Sequence, residues 1–331
     1  MKCTYYTDII VYENSVLRLI SHNKICFFID FYRGGFSLSV FVGPTESFYG
    51  YTATTLAEYI RRISYIKINK HIFFRGMSNI SYDLIPSLCR CKIDEDICNL
   101  IEQESRLVEY SEQRFPESFS KPLPTMLIAN MQHFGIPTRM LDVTSNALVA
   151  LYFACKNEDK DGVVYVFGGF SLSAYNPYAN IIADTYRLTN NCIISVDTYL
   201  DLISKQIYSS HMFYPKWEDD TMFVNSVKDQ LSKPLIIDVG NINQRQINQS
   251  GKFILFPNII KNGYIQKELV KMTKDNEELH TKILIPKNSK NKILEQLKLV
   301  GINEDFLFPD NTSQICKGII KQINYEKDIL T

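Results

Sequence analysis

The segment from Gln132 to Cys155, QHFGIPTRMLDVTSNALVALYFAC, constrains the fold more than any other part of the chain. Its Gly-Ile-Pro turn interrupts regular structure, and residues 144–146, Thr-Ser-Asn, are of the types that cap a helix N-terminus. The next nine residues, Ala147 to Cys155, are almost continuously apolar. They predict a helix that begins near Asn146 and is buried on all sides.

A polar corner precedes this helix, and it supports two interpretations. The free N–H groups and partial positive charge of a buried helix N-terminus suit an anion such as a phosphate. In the structural alternative, Arg139 pairs with Asp142, and the hydroxyls cap the helix. His133 can serve as an acid or base or as a hydrogen-bonded structural residue. The candidate ligand-binding residues here are Gln132, His133, Thr138, Arg139, Asp142, Thr144 and Ser145.

Arg75 and Gly76 form a second candidate, at the end of a strand predicted over residues 71–74. A glycine lets a ligand approach the backbone, and an arginine presents a planar fork of donors that matches phosphate or carboxylate. The structural alternative is a surface arginine in a salt bridge.

The remaining pattern predicts an α+β protein with a mixed or antiparallel β core flanked by helices. Residues rich in aromatic and β-branched types over 14–43 predict an antiparallel meander, so residues 1–50 are assigned to an N-terminal β extension. Residues 51–331 form the main domain, with 171–233 as a candidate insertion. Further predicted elements are helices over 54–65, 94–114, 123–131, 196–206, 289–299 and 312–323, and strands over 162–170, 234–239, 252–256 and 282–286.

Composition limits the classes of partner. Lys plus Arg and Asp plus Glu number 36 each, so no overall field attracts nucleic acid or an anionic membrane. No apolar run approaches the length of a membrane span, which predicts a cytoplasmic protein. The eight cysteines predict reduced, mostly buried thiols, and no metal site is predicted because neither a Cys-x-x-Cys motif nor a spaced His pair occurs.

Taken together, several motifs resemble the FRG domain family: Phe-Arg-Gly at 74–76, LIPSLCR at 84–90, the block QHFGIPTRMLD from Gln132, and ALVALYFA after it. Weaker matches are GVVYVF, QSGKF at 249–253, KILIP and GINEDFLFPD. The resemblance spans roughly residues 54–315. It implies a bacterial protein that acts in antiphage defence or as a toxin.

The motif order of this family is similar to that of ADP-ribosyltransferases, which implies split β-sheets and NAD as the substrate. In that scheme Arg75 contacts the phosphates or ribose of NAD, Thr144 and Ser145 brace the site, and Gln249 stands where many transferases place a catalytic glutamate. A glutamine supplies no charge to an oxocarbenium-like transition state, so a carboxylate has to come from elsewhere. Glu104 and Asp142 are the candidates.

Two functions follow as expectations. The first is an NAD-dependent ADP-ribosyltransferase or NAD glycohydrolase, with Arg75, Glu104 and Gln249 as catalytic residues. The alternative is a noncatalytic sensor that binds a nucleotide or a phage component in the same polar pocket. The expected partner is a nucleotide-type small molecule, with NAD as substrate in the first case, and the acceptor of any ADP-ribose stays open.

Overall fold

The structure, a computed structural model, describes residues 9–10, 16–20, 25–32, 35–42, 50–66, 70–90, 100–119, 121, 123–156, 159–188, 194–207, 228–272 and 279–309. The chain divides into two compact units, Met1–Tyr49 and Gly50–Thr331. In the first unit, four strands form an antiparallel sheet in sequential order: β1 (Ile9–Ile10), β2 (Val16–Ile20), β3 (Ile25–Tyr32) and β4 (Gly35–Val42). The predicted meander over 14–43 is confirmed.

The second unit is built on an eight-stranded mixed sheet. Its spatial order is β5 (Gly50–Thr52), β15 (Leu279–Ile285), β8 (Gly162–Gly169), β6 (His71–Met77), β7 (Met140–Thr144), β12 (Gly251–Leu255), β11 (Leu235–Asp238) and β9 (Ser171–Ser173). The pairings of β5 with β15 and of β9 with β11 are parallel, and the others are antiparallel. The helices described below flank this sheet, so the predicted α+β class is confirmed.

The pairing between neighbouring strands is shortest at the centre of the sheet. Strands β6 and β7 share a single register pair, Phe74 with Thr144, whereas each pairs along most of its length with its other neighbour. The narrow junction divides the sheet into two four-stranded halves. The split sheets expected from the resemblance are consistent with this arrangement.

Helices and a smaller sheet complete the unit. The α-helices with both ends among the described residues are α1 (Leu56–Ser64), α2 (Leu100–Arg114), α3 (Pro116–Phe119), α4 (Pro124–His133), α5 (Ala147–Cys155), α6 (Pro177–Ala183), α7 (Val196–Ile207), α8 (Gln244–Asn248), α9 (Lys290–Leu299) and α10 (Glu304–Leu307). A three-stranded antiparallel sheet has the order β10 (Ile194–Ser195), β14 (Tyr264–Leu269) and β13 (Asn258–Lys261).

Helix α5 begins where the sequence predicts. The side chain of Asn146 caps it by accepting a hydrogen bond from the Leu148 N–H at 2.9 Å, and most of its residues are buried. Gly76 on β6 permits the close approach of α5 to the sheet, because a Cβ at that position would lie 1.7 Å from the Ala150 carbonyl oxygen. The glycine of the Phe-Arg-Gly motif therefore has a packing role.

Two hydrophobic cores lie on one face of the sheet, one over each half. The first packs α4 and α6 on β7, β11 and β12, through side chains such as Leu127, Ile182 and Phe253. The second packs α5 and α9 on β6 and β8, through side chains such as Phe74 and Ile293. The ends of α4 and α5 are thus brought together above the β6–β7 junction.

Three features differ from the sequence prediction or fall outside the structure. Strand β7 forms within the segment predicted as a polar corner, because antiparallel pairing with β12 continues along it. The hairpin of β13 and β14 was also unexpected. The predicted helix over 312–323, and residues 94–99 of the predicted helix over 94–114, lie outside the described residues.

Candidate functional site

A cavity of about 250 Å³ lies at the junction of the two half-sheets. Strands β6, β7 and β12 and helices α4, α5 and α8 all contribute to its lining. Asp142 is opposite Phe253 and Thr144 is opposite Phe74, so these residues share the sheet face that carries α4 and α5. Seven of the residues singled out from the sequence line it: Arg75, Gly76, Gln132, His133, Asp142, Thr144 and Gln249.

Arg75 is a largely buried cation at this junction. Its side chain is 16% exposed, and Nη1 donates to the backbone carbonyl of Asp142 on the neighbouring strand. Nη1 also lies 3.9 Å from Asp142 Oδ2. Its Nε is buried without a hydrogen-bond partner among the described residues. Burial lowers the pKa of Arg75 and the nearby Arg90 lowers it further, although Asp142 acts in the opposite direction. Such an environment favours an incoming anion.

Asp142 is held by a chain of hydrogen bonds that starts at Ser87, in the short 3-10 helix Ser87–Cys89. Its Oδ2 accepts from Gln132 Nε2 at 3.0 Å, while its side chain remains 61% exposed. Gln132 Oε1 accepts from Thr138 Oγ1 at 2.7 Å, and Ser87 Oγ lies 3.4 Å from the same oxygen. Thr138 is buried and does not line the cavity, so it acts on the cavity only through Gln132.

Two of the predicted residues lie away from the cavity and pair with each other. The guanidinium of Arg139 contacts both carboxylate oxygens of Glu104, and both side chains are fully withdrawn from solvent. Arg139 Nη1 also donates to Ile182 O and to Asn258 Oδ1, each at 3.0 Å. The predicted pairing of Arg139 with Asp142 is replaced by this network. Glu104 has its carboxylate committed to Arg139, which does not suit it to the assigned catalytic role.

Thr144 and Gln249 connect β7 to the turn after α8. Thr144 Oγ1 donates to the Gln249 backbone carbonyl at 2.6 Å and accepts from Asn146 N–H at 2.9 Å. The side-chain amide of Gln249 donates to Leu307 O at 2.9 Å. Thr144 therefore braces the junction, and Gln249 holds the α10 segment against the cavity wall. Ser145 is exposed and lies outside the lining.

Several lining residues were not singled out from the sequence. Arg245 stacks over the Phe308 ring at 4.7 Å, and Phe153 contacts the same ring edge-on at 6.0 Å. Lys252 lines the cavity, but its ammonium binds the Asp238 carboxylate. One sequence signal could have located the α8 part of this lining, because Asn243 and Gln246 have the spacing of a capping box at a helix start. Asn243 Oδ1 does cap α8 by accepting from Gln246 N–H at 2.8 Å.

Among the described residues, no group of three or more His, Cys, Asp or Glu side chains is placed to bind a metal ion. Within the same ranges, every helix is too short or too polar to cross a membrane. The described lining residues combine cations, the Asp142 carboxylate, amides and aromatic carbon.

The comparisons with known proteins identify one family. The FRG domain model matches residues 70–162, which include Arg75, Gly76, Gln132 and Asp142 of the cavity. No curated protein and no solved structure matches the chain. The match runs from β6 to the first residue of β8 and so contains the junction, the capping turn of α5 and the Gln132–Asp142 contact. Residues 70–162 therefore match the FRG domain family that the sequence motifs indicate.

Proposed function

We propose that the cavity at the β6–β7 junction binds an anionic small molecule of the nucleotide class, with Arg75 as the main contact for its phosphate. The observation that carries the proposal is the state of the Arg75 guanidinium, which is largely buried and has an Nε without a partner in the described structure. A phosphate bound in the cavity beside this guanidinium would offset the cost of burying its charge.

The remaining lining suits a nucleotide better than a bare anion. Apolar side chains of Phe153 and Phe253 supply a surface for a base or sugar, and Arg245 adds a second cation. The volume of about 250 Å³ lies below the roughly 300–1,000 Å³ typical of pockets that enclose a whole drug-sized ligand. A dinucleotide such as NAD would therefore be enclosed in part, with the rest extending from the mouth.

A titration followed by thermal unfolding tests this proposal. NAD and ADP-ribose are titrated separately, and a ligand at 100 times its Kd is expected to add about 2.7 kcal/mol to the unfolding free energy. Arg75→Met should weaken binding by roughly tenfold or more, because a charge-assisted hydrogen bond is lost. Arg62→Met is the matched control, since Arg62 also has a buried Nε without a partner in the described structure but lies outside the lining. Equal affinities of wild type and Arg75→Met would overturn the proposal.

The second candidate function is NAD cleavage, by ADP-ribosyl transfer or hydrolysis, in a bacterial antiphage or toxin setting. One observation favours it: the Asp142 carboxylate lines the cavity beside Arg75. In this reaction the bond between nicotinamide and ribose C1′ breaks, nicotinamide leaves as a neutral molecule, and the nucleophile adds at C1′ and loses its proton. A nearby carboxylate would stabilise the positive charge that develops on the sugar.

Nicotinamide release in the same samples separates the two candidates. Release by the wild type that falls by at least roughly a hundredfold in Asp142→Asn at saturating NAD, while ADP-ribose binding stays measurable, supports NAD cleavage. Binding without release supports a noncatalytic sensor. Release that is unchanged in Asp142→Asn would remove Asp142 from the chemistry.

A further inference from the structure

Two backbone N–H groups orient the hydrogen-bond chain that leads to Asp142. The Met140 N–H donates to Thr138 Oγ1 at 3.1 Å, and the Thr138 N–H donates to Ser87 Oγ at 3.0 Å. A backbone N–H can only donate, so each hydroxyl receives a hydrogen bond and retains its own hydrogen to give. The hydroxyl of Thr138 gives that hydrogen to Gln132 Oε1, 2.7 Å away.

The orientation of the Gln132 amide is therefore fixed. With Oε1 facing Thr138, Nε2 donates to Asp142 Oδ2 at 3.0 Å. The reversed amide would place Oε1 against a carboxylate oxygen, setting two acceptors face to face. It would also leave the Thr138 hydroxyl hydrogen without its acceptor in a buried position.

From this polarity we infer that Gln132 is a positioning residue that holds Asp142 as a fixed hydrogen-bond acceptor at the cavity, and that Asp142 selects ligands bearing hydroxyl donors. The inference rests on the proposed function. Arg75 would receive the anionic part of the ligand, and Asp142, whose carboxylate can only accept, would receive an adjacent hydroxyl. A ligand that carries phosphate and sugar together satisfies both groups, whereas a bare phosphate anion meets Asp142 as a like charge.

Isothermal titration with two probes tests the inference. The probes are ADP-ribose, which carries sugar hydroxyls beside its phosphates, and inorganic pyrophosphate, which has no sugar hydroxyl. Gln132→Met removes the amide that holds Asp142, so the affinity for ADP-ribose should fall roughly tenfold, while that for pyrophosphate should change less than about threefold. A role confined to folding would reduce both affinities together and leave their ratio unchanged.

A second pair of variants covers the case in which Gln132→Met fails to fold. Thr138→Val removes the hydroxyl that orients Gln132 and should lower the ADP-ribose to pyrophosphate affinity ratio by about threefold. Thr138→Ser keeps the hydroxyl and should restore the wild-type ratio. If the wild type binds ADP-ribose and the ratio is the same in Thr138→Val, the inference is overturned while the proposed function stands. Absence of binding by the wild type overturns both.

Discussion

Arg139 and Glu104 form a fully buried ion pair in which Arg139 Nε lies 2.9 Å from each carboxylate oxygen of Glu104. The pair joins α2 to the start of β7, and Arg139 extends the connection to Asn258 on β13. Removing one member of such a pair leaves an uncompensated buried charge. The pair therefore bears on the stability of the domain, whatever ligand the cavity takes.

We expect Glu104→Gln to lower the unfolding free energy by about 3–5 kcal/mol, because Arg139 would keep its charge in a buried site. Urea unfolding measures this loss. The double variant Glu104→Met with Arg139→Met should recover much of it, since an apolar pair requires no charge compensation. Full stability of Glu104→Gln together with lost nicotinamide release would instead place Glu104 in the reaction.

Gln249→Glu should not create NAD-cleaving activity, although the similarity in motif order to ADP-ribosyltransferases would align a catalytic glutamate with this position. The Gln249 amide donates to Leu307 O at 2.9 Å, and a glutamate would set two acceptors against each other. A loss of about 1–3 kcal/mol in unfolding free energy is expected. The measurement is urea unfolding combined with an assay of nicotinamide release. A gain of release over the wild type would show that the side chain reaches the substrate.

Gly76→Ala should be among the most damaging small substitutions in the domain. The added Cβ would lie 1.7 Å from the Ala150 carbonyl oxygen, so α5 would have to move off β6. The expected cost is about 3 kcal/mol in unfolding free energy. Gly240→Ala is the control, because Gly240 has a φ of +74° and open space around it. Its cost should be about 1–2 kcal/mol, from backbone conformation alone. Similar losses in the two variants would contradict the packing role of Gly76.

The pair Asp238 and Lys252 should make stability depend on acid pH. Burial raises the pKa of Asp238, but hydrogen bonds from Lys252 and from the Gly240 N–H, with the Lys252 charge, leave the pKa below its ordinary 3.8. The folded state thus binds a proton less readily than the unfolded state. The stabilisation is complete above pH 3.8 and is lost as the pH falls through the lowered pKa.

Unfolding free energies measured from pH 6 down to pH 2.5 check this dependence. Asp238→Asn should be less stable than the wild type at pH 6, by under about 1 kcal/mol because both side chains are partly exposed. The two curves should converge in acid. Asp229→Asn is the control, since Asp229 pairs with Lys233 on an exposed surface. A constant gap between wild type and Asp238→Asn at every pH would refute the assignment.

Much of the fold could be predicted from local patterns. The capping run before Ala147 and the unbroken apolar residues after it located α5 correctly, because both signals are local. Strand β8 and helix α7 follow their predicted spans closely for the same reason. The β13–β14 hairpin was missed despite Asn262-Gly263, whose φ values of 53° and 78° are those favoured by a two-residue hairpin turn.

The site was harder to predict because its members meet through distant pairings. Arg75 and Asp142 are both in short motifs, but their proximity depends on how β6 and β7 pair. Arg139 and Asp142 are three positions apart, yet Arg139 is fully buried and Asp142 is exposed. Sequence spacing assigns both to one polar corner. In the structure Asp142 lies on β7 at the cavity, whereas Arg139 precedes β7 and pairs with Glu104 of α2.

The single-pair junction between β6 and β7 also has a consequence for how the domain opens. Hydrogen bonding between neighbouring strands is one of the links that make a sheet unfold as one cooperative unit, and here that link is reduced to Phe74 and Thr144. The two halves are therefore expected to exchange their amide hydrogens as separate units. A ligand in the cavity would touch β6 on one side and β12 on the other. With ligand bound, the amide hydrogens of the two half-sheets would then exchange at one common rate instead of two. This change would extend to residues far from those that the ligand contacts.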